Sequence, residues 1–132
     1  MIIMRLLTVF AAMPYCLTLA HAAGDAVKGE TQFGPCTVCH TVAPGGTEQI
    51  GPNLFAVMGQ KAAGRSKTFD YSPALKASGI VWSETTLDQW IKGPATLVPG
   101  TKMEFLGVTR AETRANIVAY LATLKPQAAE AR

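Results

Sequence analysis

Two cysteines and a histidine stand together in the segment Cys36-Thr37-Val38-Cys39-His40. The spacing C-x-x-C-H is typical of covalent haem attachment, in which the two thiols add across the two vinyl groups of the porphyrin. The histidine that follows at once lies under the iron and supplies one axial nitrogen. The segment therefore predicts one covalently bound haem c, attached through Cys36 and Cys39 and ligated by His40.

The first 22 residues have the layout of a secretory signal peptide. A single basic residue, Arg5, precedes an uncharged run from Leu6 to Ala20, and Ala20-His21-Ala22 forms a small-x-small cleavage pattern. A membrane anchor is the alternative, but the run is shorter than the roughly 20 residues of a spanning helix. We expect cleavage after Ala22, export to the periplasm, no stable membrane insertion, and one domain over residues 23–132.

The remaining Cys and His residues argue against other metal and thiol sites. Residues 23–132 hold only Cys36, Cys39 and His40 of these types, so neither a four-ligand Cys/His zinc site nor an iron–sulfur cluster can be completed. A thiol redox motif stays possible, although such motifs usually open a helix within a βαβ unit, and no strand-like alternation is present. The net charge of +3 is small and scattered, which argues against binding of nucleic acid.

The second axial position of the iron leaves three alternatives. A second histidine is excluded, and the thioethers available after residue 22 are Met58 and Met103. Met58 falls on a short predicted helical turn, where a core methionine is the plainer interpretation. Met103 follows Pro99-Gly100-Thr101 in a loop, which can place a side chain without helical constraint. We expect Met103 to be the sixth ligand, with Met58 and an open or water-filled position as the alternatives.

Four or five short helices are predicted, which makes the chain all-α. Helices below roughly 12 residues are marginal in water, so a prosthetic group is expected at the centre of the fold. The first predicted elements are a helix over 26–33 capped by Asp25 and a helical turn over 53–58 capped by Asn53. Two helices follow, one begun by Ser72 and Pro73 and ended by Gly79, the other begun by Ser83 and ended by Gly93-Pro94. An extended loop over 97–100 leads to the last helix, which is begun by a capping box of Thr109 and Glu112 and ended by Pro126.

Taken together, the motifs make the chain similar to a class I c-type cytochrome, the group of mitochondrial cytochrome c and its small soluble bacterial relatives. The similarity covers nearly all of residues 24–125. The matching segments are Gly24-Asp25, Lys28-Gly29, the attachment motif at 36–40, Gly51-Pro52-Asn53-Leu54, Phe69-Asp70-Tyr71, Ile80-Val81-Trp82, the ligand loop at 99–103 and Ala119-Tyr120-Leu121. The resemblance implies the cytochrome c fold, with short helices and loops wrapped around one haem.

The resemblance also implies roles for individual residues. Pro52 would offer its carbonyl to the free ring nitrogen of His40, which fixes the tautomer of the ligand. Tyr71 and Trp82 would donate hydrogen bonds to a haem propionate, and Thr101 would steady the propionates or the ligand loop. A further implication is that Gly29 lets the first helix touch the last one near Tyr120.

Some positions depart from the family pattern. Gln60 stands where an arginine is common, so Arg65 is the other cation that could reach the propionates. Trp90 replaces a tyrosine that usually neighbours the methionine ligand, and its indole donates a hydrogen bond but accepts none. Strongly basic members of the family carry a ring of lysines around the haem edge. In this chain Lys102 and Arg110 keep a positive charge at ring positions, whereas other ring positions hold the uncharged residues Pro35, Gln49, Ala95 and Thr109. Electrostatic steering is therefore expected to be weak.

These residues predict a soluble, monomeric, periplasmic electron carrier, not an enzyme, since no acid, base or nucleophile is needed. The expected partners are redox proteins: a membrane oxidase or bc-type complex of a respiratory or photosynthetic chain, or a periplasmic dehydrogenase. Two alternatives remain. One is a dedicated haem subunit of a periplasmic dehydrogenase complex, which needs no steering. The other is an enzyme or gas sensor with an open sixth position, which requires Met103 to be unligated.

Overall fold

The computed structural model describes residues 23–126, so the predicted signal peptide lies outside the described residues. The helices, in chain order, are α1 (Ala26–Gln32), a 3-10 helix (Gly34–Val38), α2 (Pro73–Ala77), α3 (Glu84–Lys92), α4 (Pro94–Leu97) and α5 (Ala111–Thr123). Over 23–126 the chain forms no β-strand, only one isolated bridge between Lys61 and Val81. The predicted all-α class is confirmed. None of these helices is long and apolar enough to cross a membrane.

The predicted starts of the first three α-helices are present. Asp25 accepts hydrogen bonds from the N–H groups of Val27 and Lys28 at 3.0 and 3.1 Å and so caps α1. Ser72 caps α2 by accepting from the N–H of Leu75 at 3.1 Å, with proline in the first turn. Ser83 caps α3 in a reciprocal capping box with Thr86. In each case the signal is local in sequence, since the cap and its partner lie within three residues.

Helix α1 packs directly on α5 because glycine removes the side chain at the crossing. A Cβ on Gly29 would lie 1.9 Å from the carbonyl oxygen of Asn116 and 2.9 Å from Cβ of Tyr120. The amide side chain of Asn116 also accepts a hydrogen bond from the N–H of Asp25 at 2.7 Å. The expected contact of the first and last helices near Tyr120 is therefore observed. It fixes the start of the domain to its end.

Three local predictions are wrong. Residues 53–58 form turns rather than a helical turn: Ala56 adopts a left-handed φ of 55°, and its N–H donates to the carbonyl oxygen of Leu124 at 2.7 Å. The capping box of Thr109 and Glu112 is not formed, since α5 begins after Arg110 without a side-chain cap. The extended loop predicted over 97–100 begins one residue too early, because Leu97 is the last residue of an unpredicted turn of helix, α4, which begins at Pro94, and proline is tolerated in a first turn.

Candidate haem site and axial ligands

The inner sides of the helices and loops enclose a cavity of about 750 Å³. This volume lies within the range of roughly 300–1,000 Å³ that is typical of cofactor sites. Most of the wall is apolar, and it includes the buried rings of Phe33, Trp82 and Trp90 and the buried aliphatic chains of Leu75 and Ile117. All the site residues named from the sequence line this one cavity: Cys36, Cys39, His40, Pro52, Tyr71, Trp82, Thr101 and Met103.

The 3-10 helix and the turn that follows it present the attachment motif. The N–H of His40 donates to the carbonyl oxygen of Cys36 at 2.9 Å, and the N–H of Cys39 donates to the same atom at 3.1 Å. The two cysteines are partly buried and are not joined to each other by a disulfide. Burial, and then the nearby Cys39, raise the pKa of the Cys36 thiol above its usual value. Before a haem is attached, the Cys36 thiol therefore holds its proton more strongly than an exposed cysteine does.

The imidazole of His40 is oriented from two sides. Its Nδ1 lies 2.7 Å from the carbonyl oxygen of Pro52. Since a carbonyl only accepts, Nδ1 carries the hydrogen and donates it, which leaves the lone pair of Nε2 free for a metal. Burial lowers the pKa of His40 and outweighs the opposite effect of the Pro52 hydrogen bond, so the ring is neutral. A Cβ on Gly51 would lie 2.3 Å from Cε1 of His40, so the loop packs directly on the ring.

Only one of the two candidate thioethers lines the cavity. Met103 lies in its wall, and its backbone N–H donates to the hydroxyl of Thr101 at 3.2 Å. Thr101 therefore contacts the ligand loop, which is one of the two contacts that the family resemblance implies for it. Met58 is partly buried, packs against the hydrophobic core and lies outside the cavity wall.

The polar residues expected near the propionates also lie along the cavity. Tyr71 and Trp82 are buried in its wall, and burial, the largest influence, raises the pKa of the Tyr71 hydroxyl. Arg65 lines the cavity and donates from Nη2 to Oδ1 of Asn53 at 3.2 Å. Gln60, at the position where the family often has arginine, is exposed and is not part of the wall.

Trp90 stands inside the cavity wall beside Trp82, with 5.4 Å between the ring centroids and a tilt of 59°. A tryptophan at this position adds apolar area and a single N–H donor to the cavity. The departure at Trp90 therefore changes the wall of the cavity itself, whereas the departure at Gln60 does not.

The cavity fits a covalently held haem by its size and by the chemistry of its donors. It combines two free thiols, an imidazole whose Nε2 is available and one thioether, within otherwise apolar walls. Within residues 23–126, no cluster of three or more His, Cys, Asp and Glu side chains is arranged to hold a metal ion. Iron carried by a porphyrin needs no such cluster, because the porphyrin supplies four of its ligands.

A comparison with protein-family models identifies the fold family. The model described as Cytochrome c matches residues 26–125, which is most of the chain. The chain belongs to the cytochrome c family. It is 47% identical over 104 residues to cytochrome c2 of Rhodomicrobium vannielii, a match that covers 79% of this chain and 82% of that protein. It is 43% identical over 103 residues to cytochrome c2 of Rhodoblastus acidophilus, covering 78% and 95%.

A solved structure agrees with this assignment. Cytochrome cH from Methylobacterium extorquens is 41% identical and matches with a TM-score of 0.71, over 76% of this chain and 99% of that one. The resemblance to the class I c-type cytochromes is thus confirmed. As a member of the family, this cytochrome c carries one covalently bound haem c and transfers electrons, and it is not an enzyme.

One partly buried ion pair of this cytochrome c is not predicted from the sequence. Arg114 of α5 is buried, and its Nε donates to Oδ1 of Asp88 on α3 at 2.8 Å. A signal was available, because Arg114 continues the stripe of buried residues at 117, 118 and 121 with helical spacing. An arginine on the inner face of a helix indicates a buried partner.

Proposed function

We propose that this cytochrome c is a periplasmic electron carrier whose haem is attached through Cys36 and Cys39 and ligated by His40 and Met103. The observation that supports this ligand set most strongly is that both thiols, the imidazole and one thioether line a single cavity, while Met58 does not. The predicted signal peptide supports the location. Gly24, just after the predicted cleavage point, packs closely on α5, where a Cβ would lie 2.0 Å from the carbonyl oxygen of Ala115.

The protein holds its two donor atoms in fixed positions. Pro52 fixes the tautomer and direction of the His40 ring, and Thr101 holds the backbone of Met103. Bound haem supplies a one-electron couple at its iron. Because the same imidazole and thioether serve both oxidation states, little of the protein rearranges during transfer. The soft thioether and the apolar walls disfavour the extra charge of the oxidised state, so they raise the reduction potential.

Two buried aromatic side chains are the proposed donors to a haem propionate. Tyr71 and Trp82 each bring a polar N–H or O–H group to an apolar wall. Such groups find a hydrogen-bond partner when buried. Thr101 contacts the ligand loop, so we assign it to Met103 rather than to the propionates.

The proposed partners are redox proteins: a membrane oxidase, a bc-type complex or a periplasmic dehydrogenase. Pro35, Gln49, Ala95 and Thr109 are exposed and uncharged. Encounters with these partners therefore depend little on long-range attraction, and the rate of transfer should vary only weakly with salt. Small interfaces that form and separate quickly suit such a carrier.

A second candidate function is a dedicated haem subunit of a periplasmic dehydrogenase complex. One observation favours it: Val38, within the attachment motif, exposes 70% of its surface, and Ile50, at the cavity wall, exposes 77%. Exposed apolar side chains suit a lasting interface better than a transient one. Co-purification with a larger redox subunit in a fixed ratio would favour this candidate, and isolation as a free monomer would favour the carrier.

The ligand set is tested by replacing each methionine in the oxidised holoprotein. Met103→Ala should abolish the far-red sulfur-to-iron absorption band and lower the reduction potential, because the soft thioether is lost. Met58→Ala is the matched control and should leave both unchanged. A band that survives Met103→Ala, or that disappears in Met58→Ala, would contradict the assignment.

A further inference from the structure

A buried guanidinium joins three parts of the chain near the ligand loop. Only 6% of the surface of Arg114 is exposed. Its Nε donates to Oδ1 of Asp88 at 2.8 Å, and its Nη1 donates to the carbonyl oxygens of Val108 and Thr109 at 2.9 and 2.8 Å. One side chain of α5 therefore holds both α3 and the segment that leads away from Met103.

The same segment lies directly on the end of α3. The N–H of Val108 donates to the carbonyl oxygen of Ile91 at 2.9 Å. Gly107 has a φ of +102°, and a Cβ there would lie 2.1 Å from the carbonyl oxygen of Lys92. These contacts fix the backbone a few residues after Met103, so the position of the thioether depends on this anchor.

The ion pair on the other side of Met103 is more exposed. Lys102 forms an ion pair with Asp70, and both side chains are largely open to solvent. Exposed ion pairs contribute little, whereas Arg114 is buried and its partner Asp88 exposes 38% of its side chain, so removal of Asp88 leaves a buried charge without its carboxylate. The ion pair with a buried partner is therefore on the C-terminal side of the ligand loop, whereas the N-terminal side is held by the backbone hydrogen bond from the N–H of Thr101 to the carbonyl oxygen of buried Val98 at 3.1 Å.

We propose that Arg114 and Asp88 are positioning residues for Met103, acting through the segment at 104–110. The inference rests on the proposed function, in which Met103 ligates the iron. The carboxylate of Asp88 compensates the buried charge and orients the guanidinium toward the two carbonyl groups. Without it, the segment opens in a larger fraction of molecules while the helices stay folded, and the thioether leaves the cavity in that fraction.

The test measures competition between Met103 and added imidazole in the oxidised holoprotein. The apparent affinity for imidazole scales with the fraction of molecules in which the loop is open. Asp88→Asn should raise that affinity by about tenfold and should shift loss of the far-red band to a lower temperature than loss of the far-UV helical signal. Glu112→Gln is the matched control and should change neither, because Glu112 lies on α5 with Arg114 but forms an exposed pair with Arg110 at 3.8 Å.

Two further variants keep the test decisive. Asp88→Glu restores a carboxylate and should return the imidazole affinity toward the wild-type value. Arg114→Lys keeps the charge but cannot reach Asp88 and both carbonyl groups together, so it should raise the affinity as Asp88→Asn does.

The outcomes separate this inference from the proposed function. Unchanged imidazole affinity in both Asp88→Asn and Arg114→Lys would overturn the inference. It would also be overturned if, in every variant, the far-red band and the far-UV helical signal were lost at the same temperature. In both cases a wild-type far-red band would leave the proposed ligand set intact. Absence of the band from the wild-type protein would remove Met103 as a ligand, and the inference with it.

Discussion

The imidazole of His40 is held by two consecutive residues of one loop. Pro52 accepts the hydrogen bond from Nδ1, and the absent side chain of Gly51 leaves room for the ring. The C-x-x-C-H motif can be recognised in the sequence because attachment chemistry needs those residues next to one another. The contact of Gly51 with the ring could not, because it depends on how closely two distant segments approach in the folded chain.

Gly51→Ala should therefore disturb the imidazole of His40, the proposed iron ligand. The added methyl would lie 2.3 Å from Cε1 of His40, so ring or loop must shift. Overpacking of this kind costs about 1–3 kcal/mol of unfolding free energy. Denaturant unfolding of the holoprotein measures the loss. Gly34→Ala is the control, since no atom beyond its own chain neighbours lies within 4 Å of the new methyl, and it should stay within about 0.5 kcal/mol of wild type. Equal losses in the two variants would contradict the expected contact.

Asp70 titrates under the influence of Lys102. A hydrogen bond and the charge of Lys102 lower the pKa of the Asp70 carboxyl, and Lys76 adds a smaller effect. A depressed carboxyl pKa means that the contact stabilises the fold above the usual carboxyl pKa and is lost as pH falls through the folded value. Lys102→Gln should raise the midpoint of the Asp70 carboxyl-carbon titration, measured by NMR, and Lys76→Gln should raise it less. An unchanged midpoint in Lys102→Gln would refute the pairing.

At the scale of elements, caps and close packing decide which predictions succeed. The caps at Asp25, Ser72 and Ser83 each act on an N–H group within three residues, so a local pattern suffices. The turn at 53–58 follows a different rule, because the N–H of Ala56 bonds to the end of α5. At the start of α5 the Arg114 guanidinium holds the carbonyl group of Thr109, five residues earlier, in place of the predicted capping box. The bond from Ala56 to Leu124 is a long-range contact that a local pattern does not contain, and the capping-box pattern does not include a contact from the second turn of the helix.

Ala56 has a left-handed backbone conformation, so its replacement by glycine should stabilise the fold, whereas replacement of alanine by glycine usually destabilises it. Its φ of 55° is disfavoured for a residue with a Cβ. Ala56→Gly should therefore raise the unfolding free energy by about 0.5–1 kcal/mol, after the entropy of glycine in the unfolded chain is subtracted. Ala119→Gly, in the interior of α5, should lower it by about 1 kcal/mol. Denaturant unfolding of both variants checks the opposite signs, and a destabilised Ala56→Gly would contradict the backbone argument.

At the scale of the whole molecule, the chain from residue 23 to residue 126 folds around a space that the side chains of this part do not fill. The α-helices span 4 to 13 residues, and their inner sides line a cavity of about 750 Å³. Protein interiors are otherwise close-packed, so an apolar space of this size indicates a bound group. The short apolar stripes and the attachment motif in the sequence predict that a prosthetic group lies at the centre of the fold, but not the individual contacts around it. The contacts of the Arg114 guanidinium with Asp88 and with the segment after Met103 can be seen only when α3, α5 and the ligand loop are placed together.

Covalent attachment of the haem tests the central claim most directly. The protein is expressed in a host that matures c-type cytochromes, extracted with acid and acetone to remove loose haem, and weighed by mass spectrometry. The expected mass is that of residues 23–132 plus one haem. When Cys36 and Cys39 are both replaced by serine, the haem is no longer covalently held, so the extraction should remove it and leave the mass of the polypeptide alone. A colourless wild-type protein with the mass of the bare polypeptide, still compactly folded, would contradict the account.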